Sequence, residues 1–133
     1  MTDMNVYVED TIDRKYDLLF DDFIVVNRRI LHRIKALRDF GNVKSGDIGG
    51  YIEKEENLSH EGNCWIFDNA CVFDNARVFE NARVYGNSQV HDNARVCGKA
   101  HVYEYSDVAG DSQVFGHARV YGMAVVFGNS RIC

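Results

Sequence analysis

The chain has no uncharged apolar run of 18 residues, the length a helix needs to cross a bilayer, so no membrane role is expected. Nor has it a surplus of positive charge. Its 15 Lys and Arg stand against 20 Asp and Glu, a net charge of −5, which argues against a protein whose affinity comes from neutralising phosphates, and no direct nucleic-acid contact is expected. The opening residues, MTDMNVYVED, are acidic and lack the basic-then-apolar order of an export signal. Cysteine is sparse: Cys64, Cys71, Cys97 and Cys133 are separated by 6, 25 and 35 residues, matching neither a CxxC pair nor a disulfide scaffold, so reduced thiols in the cytoplasm are expected. There is no P-loop, no GxSxG and no HExxH. With 133 residues, 46% of them hydrophobic, the chain has material for one domain with a modest core.

What the sequence does have is a repeat. From Cys64 every sixth residue is small: Cys64, Ala70, Ala76, Ala82, Ser88, Ala94, Ala100, Ser106, Ser112, Ala118, Ala124 and Ser130. Two residues after each stands a β-branched aliphatic, from Ile66 and Val72 through to Val126 and Ile132. Side chains alternate along a strand, so the small residue and the Val share the inner side while the residues flanking Val point out. The following pair, Gly, Asp or Glu and then usually Asn, turns the chain, because Gly and Asn enter the left-handed region at little cost. Six residues therefore make one short strand and one corner. Repeated without reversal, they give a parallel β-helix, and the narrow Val/Ala interior suits three strands per coil and an 18-residue turn. The expected class is all-β: a parallel β-helix over residues 48–133, about five coils, behind an N-terminal β-rich cap over residues 1–47.

Counting back one coil from Ile66 puts Ile48 and Ile52 inward and places Lys54 and His60 where Val is wanted, so residues 48–65 read as a degenerate, bulged first coil. Gly49-Gly50 reads as a tight turn. Upstream, YDLLF (16–20), FIVV (23–26) and ILHRIKAL (30–37) read as short strands broken at Asp21-Asp22 and Asn27-Arg28-Arg29; a helix over 28–40 competes with the last. The last strand ends at Ile132-Cys133 without a polar cap, and the expectation is that a second copy covers that end through Val126, Phe127, Ile132 and Cys133, as a dimer or trimer.

The V-x-G/D-N-A/S-x units resemble the hexapeptide-repeat, left-handed β-helix proteins, and left-handedness is what that resemblance implies. The segment ILHRIKALRDFGNVKSGDIGGYIEKEENLSHEGNCWIFDNA, residues 30–70, is similar to the opening region of a bacterial and phage group of β-helix proteins, one of which carries an acyltransferase label. The resemblance makes a phage anti-defence or host-modulating role, in the host cytoplasm, an expectation.

Sorting outward residues by coil gives three walls. One unites Trp65, Phe67, Arg83, Tyr85, His101, Tyr103, Arg119 and Tyr121, the Trp, Tyr and Arg mixture of interface hot spots, and is the expected docking wall for a protein partner. Another carries the column Arg77, Arg95 and Arg131, which invites an anion, with Asp74, Glu80 and Asp92 at nearby corners to offset it. An acyltransferase would need a general-base His and a groove bordered by a loop that interrupts the coils. No residue is inserted between Cys64 and Cys133, so no such loop is expected; His101 and His117 are the catalytic candidates, with no Asp or Glu in their column to orient them. The γ-class carbonic anhydrases resemble this fold and hold zinc with three His, but His91, His101 and His117 are separated by 9 and 15 residues and face different walls, so no metal or other cofactor is expected. The reading that follows is a non-catalytic, self-associating interaction protein; the alternatives are an acyltransferase with an intersubunit site and an oligomeric sponge for small anions.

Overall fold

A computed structural model describes residues 13–133 of the chain; the first twelve residues of the expected cap lie outside the described residues. Twelve two-residue strands, from Trp65–Ile66 (β4) to Arg131–Ile132 (β15), recur every six residues. Each pairs in parallel with the strand one coil away, Trp65 on Arg83, Cys71 on Gln89 and Arg77 on Arg95. The result is a three-walled parallel β-solenoid. The inward column Ile52, Val72, Val90, Val108 and Val126 marks five coils on one wall. Every inward Val of the repeat, from Val72 to Val126, is buried, together with its small neighbour up to Ala118, each burial worth roughly 1.5–3 kcal/mol for a Val. All four cysteines are free, and burial pushes the Cys71 thiol up to about 11.

The corners carry a second regularity. Asp68, Asp74, Glu80, Asp92 and Glu104 have φ of 58 to 61°, the left-handed region that costs a non-glycine residue about 1 kcal/mol. In four of them the carboxylate accepts the N–H of the Gly one coil further on: Asp68 from Gly86, Glu80 from Gly98, Asp92 from Gly110 and Glu104 from Gly122, at 2.7–3.0 Å. A charge-assisted hydrogen bond thus offsets the strain and ties each coil to the next.

The start of the solenoid corrects the sequence reading. Ile52 pairs with Val72 and Leu58 with Val78, two residues out of step with the period that stacks Trp65 on Arg83. Ile52 and Leu58 themselves fill the Val positions, and two extra residues are absorbed in the Ser59–Asn63 loop; Lys54 and His60 are not in the core. Ile48, expected inward, is 53% exposed. Gly49-Gly50 is not a turn but the middle of strand Ile48–Ile52 (β3). A Cβ on Gly50 would lie 2.5 Å from Ile66 Cγ2 and 2.6 Å from the Ala70 carbonyl oxygen, so only glycine lets this strand close on the next coil.

Asn57 repairs the irregular coil. Its N–H is taken by the Lys54 carbonyl in a 3₁₀ turn, Glu55–Asn57, and is lost to the ladder. Its buried side chain instead donates to the Asp74 and Ala76 carbonyls and accepts the Glu53 and Lys54 N–H groups.

Upstream, strands Tyr16–Val26 (β1) and Arg29–Ala36 (β2) form an antiparallel hairpin that extends the wall through β3. The strand reading of this region holds against the helix. Asp21-Asp22 is no break, however: it sits in a bulge of one long strand, between Leu19 and Phe23. At the base of the hairpin Lys15 is fully buried, its Nζ 2.7 Å from the Cys64 carbonyl oxygen and 4.8 Å from the Phe40 ring centroid, and burial lowers its pKa. Arg33 donates to the Gly49 and Asp68 carbonyls, locking hairpin to solenoid.

Candidate functional site

The period of 18 aligns Arg83, His101 and Arg119 on one ladder, each the outward residue before a buried Val. The outward residues after those Vals form a second column: Tyr85 stacks on Tyr103 at 4.8 Å and Tyr103 on Tyr121 at 5.4 Å, with Phe67 edge-on to Tyr85. The two columns are joined. Tyr85 Oη lies 3.1 Å from His101 Nδ1. Burial, then the Arg119 and Arg83 guanidinium groups, lower the His101 pKa, so its imidazole is neutral at pH 7. In the tautomer with the proton on Nδ1, the ring donates to Tyr85 Oη and leaves the Nε2 lone pair free.

The lead-in segment gives this wall relief. Phe40 and Val43 bridge each other, and the Phe40 ring lies edge-on to Trp65, 5.2 Å between centroids. Trp65 is consequently 1% exposed and cannot touch a partner, contrary to its expected place on the docking wall. The Gly41-Asn42 turn between Phe40 and Val43 then borders two clefts that meet at Arg83 and His101. One, of about 200 Å³, is lined by Asn42, Phe67, Asp68 and Tyr85; the other, of about 360 Å³, by Gly41, Asn63, Asn81 and Lys99. As expected, no loop interrupts the coils between Cys64 and Cys133; the segment that borders these clefts comes from before the solenoid.

The structure does not bring the remaining candidates into this arrangement. His117 is exposed at its corner, and the residue on the His101 ladder is Arg119. Tyr121 is 56% exposed beyond both clefts. Of the four residues expected to mediate self-association, Val126 is buried, Ile132 is half-buried, and Phe127 and Cys133 are exposed. Among the described residues no group of three His, Cys, Asp or Glu side chains converges as a metal site, and no helix is long and apolar enough to cross a membrane.

Sequence reasoning missed two polar clusters. His91 stacks on Phe73 and bridges Asp92 and Asp107, at 3.1 and 2.8 Å. His60 stacks on Tyr16; its Nδ1 accepts the Lys15 N–H, so Nε2 carries the proton and donates to Glu55 at 2.7 Å. With both ring nitrogens engaged, His60 is a clamp between hairpin and solenoid and has no free lone pair for chemistry.

Repeat, register and wall geometry together define a hexapeptide-repeat β-solenoid. Residues 76–92 match the YdcK beta solenoid repeat family. A 39-residue stretch is 49% identical to the uncharacterized acetyltransferase YdcK of Escherichia coli (strain K12), covering 29% of this chain and 12% of that protein. The chain thus spans far less than two thirds of the relative it matches.

Proposed function

We propose that the groove around His101 is an acyl-transfer site. The observation that carries this reading is the Tyr85–His101 hydrogen bond at the meeting point of two clefts, on an imidazole kept neutral by burial and two flanking arginines. A neutral, oriented imidazole with Nε2 free is what a general base requires. It would take the proton from an acceptor hydroxyl or amine as that group attacks an acyl thioester and would return it to the thiolate that leaves as the C–S bond breaks, and Arg83, Lys99 and Arg119 would hold an anionic donor. The acetyltransferase name of the Escherichia coli relative supports the same reading. The test is thiol release from an acetyl thioester in the presence of a panel of amine and hydroxyl acceptors. Activity that disappears in His101→Ala and persists in His117→Ala is the expected result; turnover indifferent to His101 rejects the assignment.

A second reading, docking of a protein partner on this wall, is favoured by the Tyr85–Tyr103–Tyr121 stack, which continues out of the clefts onto open surface. Replacing Tyr85 and Tyr103 with Ala would then abolish complex formation without unfolding the chain.

A further inference from the structure

Another cleft lies on a different wall, at the place where the repeat falls out of step. It measures about 380 Å³ and is lined by Ser59 and His60 of the inserted loop, by Glu55 and Glu56 of the 3₁₀ turn, and by Arg77, Phe79 and Arg95 of the next two coils. Arg77 and Arg95 are direct ladder partners, so two guanidinium stems leave adjacent strands at the same register, roughly 4.8 Å apart. Like charges placed opposite one another destabilise a sheet unless something neutralises them.

The corner carboxylates that the sequence offers for this task are committed elsewhere. Asp74 pairs with Arg29, Glu80 accepts the Gly98 N–H, and Asp92 accepts the Gly110 N–H and meets His91. Glu55, in the cleft wall, is held by Arg14 and His60. Among the described residues neither Arg77 nor Arg95 has an ion-pair partner. The Ser59 oxygen accepts the Glu61 N–H, which leaves the hydroxyl proton to donate into the cleft. Phe79, half-buried beside the arginines, supplies an apolar face.

We infer that this cleft is an anion site for a phosphorylated small molecule, separate from the His101 groove. Two adjacent cations call for a dianion, and two guanidinium forks carried on neighbouring strands offer more N–H donors than one carboxylate can accept. A phosphoryl group supplies both, and a ring or short chain attached to it would lie on Phe79. The third arginine of the column, Arg131, is excluded from the site: Gln113 separates it from Arg95, and its guanidinium lies on the Phe115 ring and bonds Gln113.

The test is an NMR titration of the full chain with inorganic pyrophosphate and, separately, phenyl phosphate, following the arginine Nε–Hε signals. Saturable shifts at Arg77 and Arg95 but not at Arg131, with half-saturation at or below about 1 mM, are expected. Arg77→Gln combined with Arg95→Gln should weaken binding at least about tenfold, while Glu56→Gln, which leaves both arginines in place and removes a like charge from the ligand's path, should tighten it. Shifts of equal size at Arg131, an absence of saturation, or a Glu56→Gln variant that binds no better would each overturn the site. Because the readout is binding away from His101, the result stands whether or not the acyl-transfer reading does.

Discussion

The hydroxyl of Tyr85 lies 3.1 Å from Nδ1 of His101, sixteen residues later, a diagonal link between neighbouring coils that joins the aromatic column to the cationic one. Phenylalanine at position 85 keeps the stack on Tyr103 but leaves Nδ1 without its partner. Under the acyl-transfer reading, Tyr85→Phe lowers kcat about tenfold, equivalent to roughly 1.4 kcal/mol of lost orientation, with KM nearly unchanged. Equal loss in kcat and rise in KM would instead show that Tyr85 contacts the donor.

His101 itself should titrate below its ordinary value of 6.5, because burial and the Arg119 and Arg83 charges oppose its protonation. The unfolded chain then binds the extra proton between the folded pKa and 6.5, so this residue's contribution to stability is intact above 6.5 and declines as pH falls through that window. Arg119→Gln removes one of the opposing cations and should move the His101 midpoint upward. An NMR titration of the His101 ring protons in both proteins decides it; a midpoint that stays put or moves down contradicts the electrostatic cause.

The walls were legible in the sequence because a period of six with Val fixed at one position leaves only one way to sort side chains. All three ladders, Trp65 to Arg119, Cys71 to Val125 and Arg77 to Arg131, have the register that counting by 18 predicts. The count fails upstream of Ile66 because the two extra residues sit in the polar loop Ser59–Asn63, where hydropathy carries no phase. Trp65 stands on the expected ladder but is covered: alternation says which residues leave the strand outward, not that Phe40, 25 positions earlier in the chain, folds over one of them. The Tyr85–His101 bond and the borders of its clefts depend on such contacts between coils and from the Phe40–Val43 turn, and no local pattern encodes them.

The corner at Glu104 combines a strained backbone, φ 61°, with a 2.7 Å bond to the Gly122 N–H. Glu104→Ala loses the bond and keeps the strain; Glu104→Gly loses the bond and relieves the strain. Alanine should therefore be the less stable of the two, by about 1 kcal/mol. Urea denaturation of both variants measures the order, and a glycine variant no more stable than alanine would show that the corner is not strained.

Gly50 stands opposite Ala70, where later coils carry Ala or Ser. A methyl group there meets Ile66 and the Ala70 carbonyl at 2.5 and 2.6 Å, and one of the two is backbone that cannot turn aside. Gly50→Ala should cost about 1–3 kcal/mol, against about 0.5–1 kcal/mol for the reverse change at the neighbouring coil, Ala70→Gly. The usual preference for Ala over Gly in a strand is thereby inverted between two positions of the same column, and thermal melts of the two variants check the inversion.

Asn57 is the residue on which the irregular first coil depends, since one buried amide serves four backbone groups: two carbonyls of the following coil and two N–H groups of its own turn. Asn57→Ala takes this partner from all four and leaves the buried Ala76 carbonyl without it, and the cost should be about 3 kcal/mol, larger than for any single corner carboxylate. Asn57→Asp separates the two halves of the role. It keeps the acceptor for Glu53 and Lys54 but sets a negative charge against the Asp74 and Ala76 carbonyls, so it should be destabilised as well and should recover part of the loss as acid protonates it. Hydrogen exchange localises the effect: faster exchange is expected at the amides of Glu53, Lys54 and Ser59, with Arg95 to Val120 protected as in the parent chain. Uniform exchange along the solenoid would mean that the coils unfold as one unit and that Asn57 has no special place among them.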